Sequence, residues 1–186
     1  MKKFLVIATV ILLNGCSATG EKVLSRADGL SSRPSWAKET VAYFEDNGVS
    51  YFVGNQVVEG DMSPAWVCMA ASNMAKKDVS DIINQKLDFL MQMANEDMKV
   101  GVAQMKYVGT EATNITMSNL RKDGCYWEKV LTQTDTNENS VQYRAFTKLS
   151  IPTSQLKAAI KNAGAKKGLS EDFKKQVDER WNLMAQ

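Results

Sequence analysis

The spacing of apolar and polar residues predicts a series of strands and helices from residue 50 onward. Aromatic and β-branched residues at Tyr51–Val58 predict a first strand. Ser63 followed by Pro64 is a typical helix start. An alanine-rich helix is predicted over Ala65–Lys77, with Trp66 and Met69 assigned to core packing. Another helix is predicted over Asp97–Thr113.

Residues 79–98 carry two competing patterns. Ile83, Leu87 and Leu90 share one face at helical spacing, whereas Leu87, Phe89 and Met91 alternate as in a strand. Periodicity favours a helix, and the family resemblance given below favours a strand. We take the strand as the prediction for this segment.

The C-terminal half predicts a β-hairpin followed by helices. Asn119–Leu131 and Val141–Ile151 flank a polar loop, and the second segment alternates with a period of two, as in a strand with one buried face. Ser154 can begin a helix after this strand, and Leu169–Met184 predicts a last amphipathic helix.

These elements together predict an α+β fold, a mainly antiparallel sheet with helices packed on one face. The domain is predicted over residues 36–163, and residues 164–186 are predicted to form a C-terminal amphipathic helix that packs either on this body or on a neighbour. Residues 16–35 are rich in polar residues and lack a sustained apolar period, which predicts a flexible tether.

The N-terminus resembles a bacterial lipoprotein signal peptide. Lys2 and Lys3 precede ten mainly apolar residues at positions 4–13, a run too short to cross a bilayer as a helix. Residues 13–16 (LNGC) resemble the lipobox, in which the cysteine is acylated and the leader is removed before it. This resemblance implies cleavage between Gly15 and Cys16 and lipidation of Cys16.

A lipidated Cys16 would fix the location of the chain. The expected modification is a diacylglycerol on sulfur and a palmitate-class acyl chain on nitrogen, an effectively permanent anchor. Ser17 stands where an aspartate would resemble the inner-membrane retention signal. The resemblance therefore implies anchoring in the outer membrane, and we expect the domain to face the periplasm.

Charge and composition exclude several kinds of function. Of 23 Lys and Arg residues, Lys2 and Lys3 lie in the predicted leader, so 21 remain to balance 21 Asp and Glu. A neutral body gives no reason to expect a nucleic-acid partner. The chain has no histidine, which removes Ser-His and Cys-His nucleophiles and imidazole metal sites. We expect neither an enzyme nor a metal or cofactor beyond the acyl chains.

Two cysteines and three tryptophans remain as candidate site residues. Cys68 and Cys125 could pair in an oxidising compartment or remain buried thiols, and we favour buried thiols because free cysteine is often buried. Trp36, Trp127 and Trp181 are candidate interface residues, although large aromatic side chains also fill cores.

Five short motifs resemble the Lpp-twenty family of bacterial outer-membrane lipoproteins. Their order and spacing carry the resemblance from about residue 33 to residue 163, most of the predicted mature chain. The motifs are Arg33–Trp36, Tyr51–Gly54, Cys125–Lys129, Tyr143–Phe146 and Leu149–Pro152.

The resemblance implies a small lipoprotein domain without a catalytic centre. The family includes flagellar accessory lipoproteins that build rings or disks around the motor beneath the outer membrane. We therefore expect a structural lipoprotein that forms a homo-oligomer or assembles with flagellar or other envelope proteins. The alternative is a periplasm-facing regulator of a peptidoglycan synthase, which would have to reach the wall on its tether.

Overall fold

The computed structural model describes residues 21–93, 100–133 and 139–181. These residues form one domain with a five-stranded sheet and four α-helices. The strands are β1 Lys22–Arg26, β2 Tyr43–Asp46, β3 Val49–Glu59, β4 Arg121–Gln133 and β5 Asn139–Pro152. The helices are α1 Pro64–Met93, α2 Val102–Asn119, α3 Thr153–Lys166 and α4 Glu171–Arg180, and a single 3-10 turn occupies Ala27–Gly29.

The sheet has the order β1-β4-β5-β3-β2, and every pair of neighbouring strands is antiparallel. Alternate residues of β5, from Tyr143 to Ile151, are buried on one face beneath the helices. The predicted hairpin is confirmed as β4 and β5, and the α+β fold with an antiparallel sheet is confirmed as well.

The main core lies between the sheet and the helices. Phe52 and Leu149 from the sheet pack in one cluster with residues from all four helices, among them Ile83, Leu156 and Phe173. Because α4 contributes to this core, the last helix packs on its own body, one of the two arrangements that the sequence left open. Helix α3 runs through residues 163 and 164, so the predicted boundary between them is wrong. Residues 182–186 lie outside the described residues.

Helix α1 approaches the sheet closely at Gly54. A Cβ atom at Gly54 would lie 2.1 Å from the backbone nitrogen of Ala75 and 2.2 Å from the carbonyl oxygen of Ala71. Both alanines are fully buried. The small residues that the sequence places in this helix and strand are therefore required by the contact between them.

The predicted strand within residues 79–98 is wrong, because α1 continues without interruption to Met93. Val79, Ile83, Leu87 and Leu90 are all buried in the core, so the helical period decides the structure. Residues 94–99 lie outside the described residues. Within the described ranges, no helix combines the length and apolarity needed to cross a bilayer.

The predicted tether over residues 16–35 is wrong from residue 21 onward. Residues 22–26 form β1, which pairs with β4 at one edge of the sheet. Residues 30–42, which we call the strap, then lead to β2 at the opposite edge and cover the sheet face away from the helices, where Ala37 is fully buried. Pairing with residues distant in sequence orders this segment, although its polar composition predicted a flexible chain.

Strand β2 is joined to β3 by a two-residue turn at Asn47 and Gly48. Both residues have positive φ, 48° and 76°, the geometry of a type I′ hairpin turn, for which Asn-Gly is a preferred pair. Asp46 and Val49 close the turn. This hairpin gives the sheet its second short edge strand.

Candidate interaction surfaces and buried polar clusters

The predicted lipidation site, Gly15 and Cys16, lies outside the described residues. The described chain begins at Glu21, which is fixed to the body. Arg144 on β5 donates hydrogen bonds to both carboxylate oxygens of Glu21, one of them over 2.9 Å. The described part of the chain therefore starts five residues after Cys16.

Cys68 and Cys125 form a disulfide between α1 and β4. Their Cα atoms are 5.9 Å apart, within the usual range for a disulfide, and Thr147 of β5 donates a hydrogen bond to the carbonyl of Cys68 over 2.9 Å. The preference for two buried thiols is therefore wrong. Sequence spacing could not decide between the alternatives, because the contact depends on how α1 crosses the sheet.

The three predicted interface tryptophans have different environments. Trp36 is half-buried on the strap, and the Lys148 ammonium lies 5.3 Å from its ring centroid. Trp127 is half-buried on the helix side of β4, with its ring centroid 5.9 Å from that of Tyr143. Both retain a partly accessible edge.

Trp181 is only 1% exposed and belongs to the main core. Its Nε1 donates a hydrogen bond to Glu45 over 2.9 Å. The prediction of Trp181 as an interface residue is therefore wrong. The apolar face of the last helix packs on its own domain, which leaves this tryptophan inaccessible to another molecule.

A buried carboxylate holds the strap and β1 against the sheet. Glu128 of β4 accepts a 2.6 Å hydrogen bond from Arg33 of the strap and a 2.7 Å hydrogen bond from Tyr126, and Arg26 of β1 lies 3.5 Å away. Burial works to raise the pKa of Glu128, but the hydrogen bonds from Arg33 and Tyr126 outweigh burial and lower it. Burial raises the pKa of Tyr126 to about 12. These groups satisfy one another, as buried charges require.

A second polar cluster fixes α4 to the sheet around Lys86 of α1, which is 4% exposed. The Lys86 ammonium lies 4.6 Å from the ring centroid of Tyr43, 4.5 Å from that of Trp181 and 3.8 Å from the Glu45 carboxylate. Tyr43 also donates a hydrogen bond to Glu45. Burial lowers the pKa of Lys86 to about 8, although Glu45 acts in the opposite direction.

The buried lysine predicts an unusual pH dependence of stability. Between pH 8 and 10.5 the folded state loses the Lys86 proton while the unfolded chain retains it, so the contribution of Lys86 to the free energy of unfolding rises with pH. Tyr43 and Tyr126, whose pKa values burial raises, contribute in the opposite direction above about pH 9. We expect Lys86→Met to lack this rise, so that the wild type gains roughly 1 kcal/mol over the variant between pH 7 and pH 9. Urea unfolding at several pH values measures the difference.

Lys76→Met is the matched control, because Lys76 lies on the same helix as Lys86 but is exposed. Its stability should follow the wild type across the same pH range. If the free energy of unfolding changed with pH in the same way for Lys86→Met and for the wild type, the role given to Lys86 would be contradicted.

The start of α1 carries an exposed apolar surface, formed by Met62, Trp66 and Met69. Trp66 is 43% exposed and Met69 is 53% exposed, and they lie one turn apart on the helix. From sequence we assigned both to core packing. Their position relative to buried Val67 and Ala71 could have indicated the outward face, since helix faces follow a period of 3.6 residues.

An open groove of about 650 Å³ lies between α3 and α4. Its walls carry three lysines and four carboxylates. Lys161 is paired with Asp178 at 2.9 Å, and Lys174 with Glu171. The opposite charges on these walls pair locally, which gives no basis for attracting a charged ligand.

Neither a metal centre nor a similar protein points to an activity. In the part of the chain that the structure describes, no three His, Cys, Asp or Glu side chains are grouped so that they could hold a metal ion. Comparisons with family models, with curated proteins and with solved structures find no match to this chain.

Proposed function

We propose that this chain is a lipid-anchored outer-membrane lipoprotein with a structural, non-enzymatic role. Its leader is cleaved between Gly15 and Cys16, and Cys16 is acylated. The observation that carries the proposal is the position of Cys16, three residues after the end of a ten-residue apolar run and directly after a small residue. The domain faces the periplasm, held at the membrane by its acyl chains.

The disulfide supports export from the cytoplasm. Disulfides persist in oxidising compartments such as the periplasm, and they are rare where thiol reductants are abundant. Cys68 and Cys125 join two elements that are 57 residues apart in sequence. A protein stabilised in this way fits the compartment that the leader implies.

The apolar surface of Met62, Trp66 and Met69 supports assembly with other protein molecules. Tryptophan and methionine are enriched at protein interfaces, and methionine adapts its shape to a partner. We propose that this surface contacts a second copy of the chain or an envelope protein. The resemblance to the Lpp-twenty family extends the proposal to a ring or disk around the flagellar motor.

Mass spectrometry of the protein purified from membranes tests the anchor. We expect residues 1–15 to be absent and Cys16 to carry a diacylglycerol and an N-acyl chain. The Cys16→Ser variant should keep its leader and lack acyl groups. An unmodified amino terminus in the wild-type protein would refute the lipoprotein proposal.

The same preparation tests assembly by native mass measurement in detergent. Trp66→Ser combined with Met69→Ser should lower the oligomeric mass. The control is Val102→Ser with Tyr107→Ser, which removes exposed apolar side chains from α2 instead. Electron cryotomography of a deletion strain tests the flagellar part, and an unchanged motor periphery with normal motility would discard it.

A further inference from the structure

We infer that the β1 edge of the sheet lies directly on the phospholipid surface that holds the anchor. The inference rests on the proposed lipidation of Cys16. It concerns Leu24 in β1 and Leu30 at the start of the strap, which together we call the leucine edge. Its physical basis is the short length of chain between the lipid and the folded domain.

The length of chain limits how far the domain can leave the membrane. Glu21 is fixed to β5 by its ion pair with Arg144, and Lys22 is paired with Leu131. Five Cα–Cα steps separate Cys16 from Glu21, and even a fully extended chain spans about 18 Å over that length. This reach gives little support to the alternative of a wall-synthase regulator.

The topology decides which part of the domain lies nearest the lipid. Strand β1 is an edge strand, and β2 lies at the opposite edge, four strand spacings away. At 4.7–4.9 Å per spacing, the two edges are about 19 Å apart. A domain held through β1 therefore presents this edge toward the bilayer and directs β2 away from it.

The leucine edge has the chemistry of a membrane-contacting surface. Leu24 and Leu30 are each 45% exposed. Leu24 lies at an irregularity of β1, between Val23 and Ser25, and has no partner residue in β4. Two leucines bury too little apolar area to bind a free domain to vesicles, but they suffice when an anchor keeps them next to the lipid.

Fluorescence quenching tests this orientation on the acylated full chain. The protein is reconstituted into vesicles of phosphatidylethanolamine and phosphatidylglycerol that contain a phospholipid with a nitroxide headgroup. A fluorophore is attached to Leu24→Cys, to Leu30→Cys or to Asp46→Cys, the last being an exposed position on β2. The native thiols do not react, because Cys68 and Cys125 are paired and Cys16 carries lipid.

We expect quenching at positions 24 and 30 to exceed quenching at position 46 at least threefold. A ten-residue Gly-Ser insertion between Gly20 and Glu21 should reduce quenching at position 24 by at least half. Equal quenching at the three positions, or quenching at position 46 that exceeds quenching at positions 24 and 30, would overturn the inference. Mass spectrometry of the same sample separates the cases, because missing acyl groups refute the lipoprotein proposal itself.

Discussion

Replacing both Cys68 and Cys125 by alanine is expected to lower the free energy of unfolding by about 4 kcal/mol. The disulfide closes a loop between residues 57 positions apart, and it therefore restricts the unfolded chain strongly. In the folded state it joins α1 to β4, next to the hydrogen bond from Thr147 to Cys68. Urea unfolding of the oxidised wild type and of the double variant measures the loss.

Reduction provides the control for this effect. Dithiothreitol should destabilise the wild type to about the level of the double variant, and it should leave the double variant unchanged. The unfolded state of the reduced protein should also expose more surface, which raises the dependence of the free energy on urea. A loss below about 1 kcal/mol would show that the bond constrains little.

Trp181→Ala is expected to cost about 4 kcal/mol, the range found when a large buried aromatic residue is truncated. The ring is 1% exposed, and the substitution would leave a cavity between α4 and the sheet. It would also remove the hydrogen bond to Glu45 and one of the two rings that flank the Lys86 ammonium. Thermal or urea unfolding of the purified variant measures the loss.

Trp66→Ala is the matched control, since it removes the same side chain from an exposed position on α1. Its effect on stability should stay within about 0.5 kcal/mol, although it should weaken assembly. A small stability effect for Trp181→Ala combined with loss of oligomers would restore Trp181 as an interface residue.

Local sequence patterns predicted the central part of the fold well. The period of two in β5 reflects one face covered by helices, and Ser63 with Pro64 does mark the start of α1, where the Ser63 side chain accepts a hydrogen bond from the backbone of Trp66. At Leu87–Met91 the sequence fits both a helical period and a strand period. The strand was predicted, and the structure follows the helical period of the buried residues. Short apolar runs do not distinguish the two structures by periodicity alone.

Contacts distant in sequence explain most of what the pattern did not predict. Strand β1 and the strap depend on Glu128, about 100 residues further along the chain, which pairs with Arg26 and Arg33. A polar segment ordered by such pairing has the same composition as a tether. The Asn47-Gly48 turn was a local signal for β2 that the sequence did contain.

The candidate interaction surfaces also depend on contacts that the local sequence pattern does not reveal. An amphipathic pattern indicates that one face of a helix is apolar, but it does not tell whether the domain itself or a partner covers that face. From sequence, Trp181 was therefore assigned to an interface and Trp66 to the core, whereas the structure buries Trp181 and exposes Trp66. Buried Lys86 and Glu128 were also unpredictable, since charged residues are usually exposed.

The pairing of β1 has a mechanical consequence if Cys16 carries the lipid. Any pulling force between the membrane and the domain would enter at the first residues of β1, which is only five residues long. Ion pairs secure both ends of that strand, Glu21 to Arg144 and Arg26 to Glu128. The force needed to detach β1 from the sheet is thus set by these two ion pairs and by the backbone hydrogen bonds between β1 and β4.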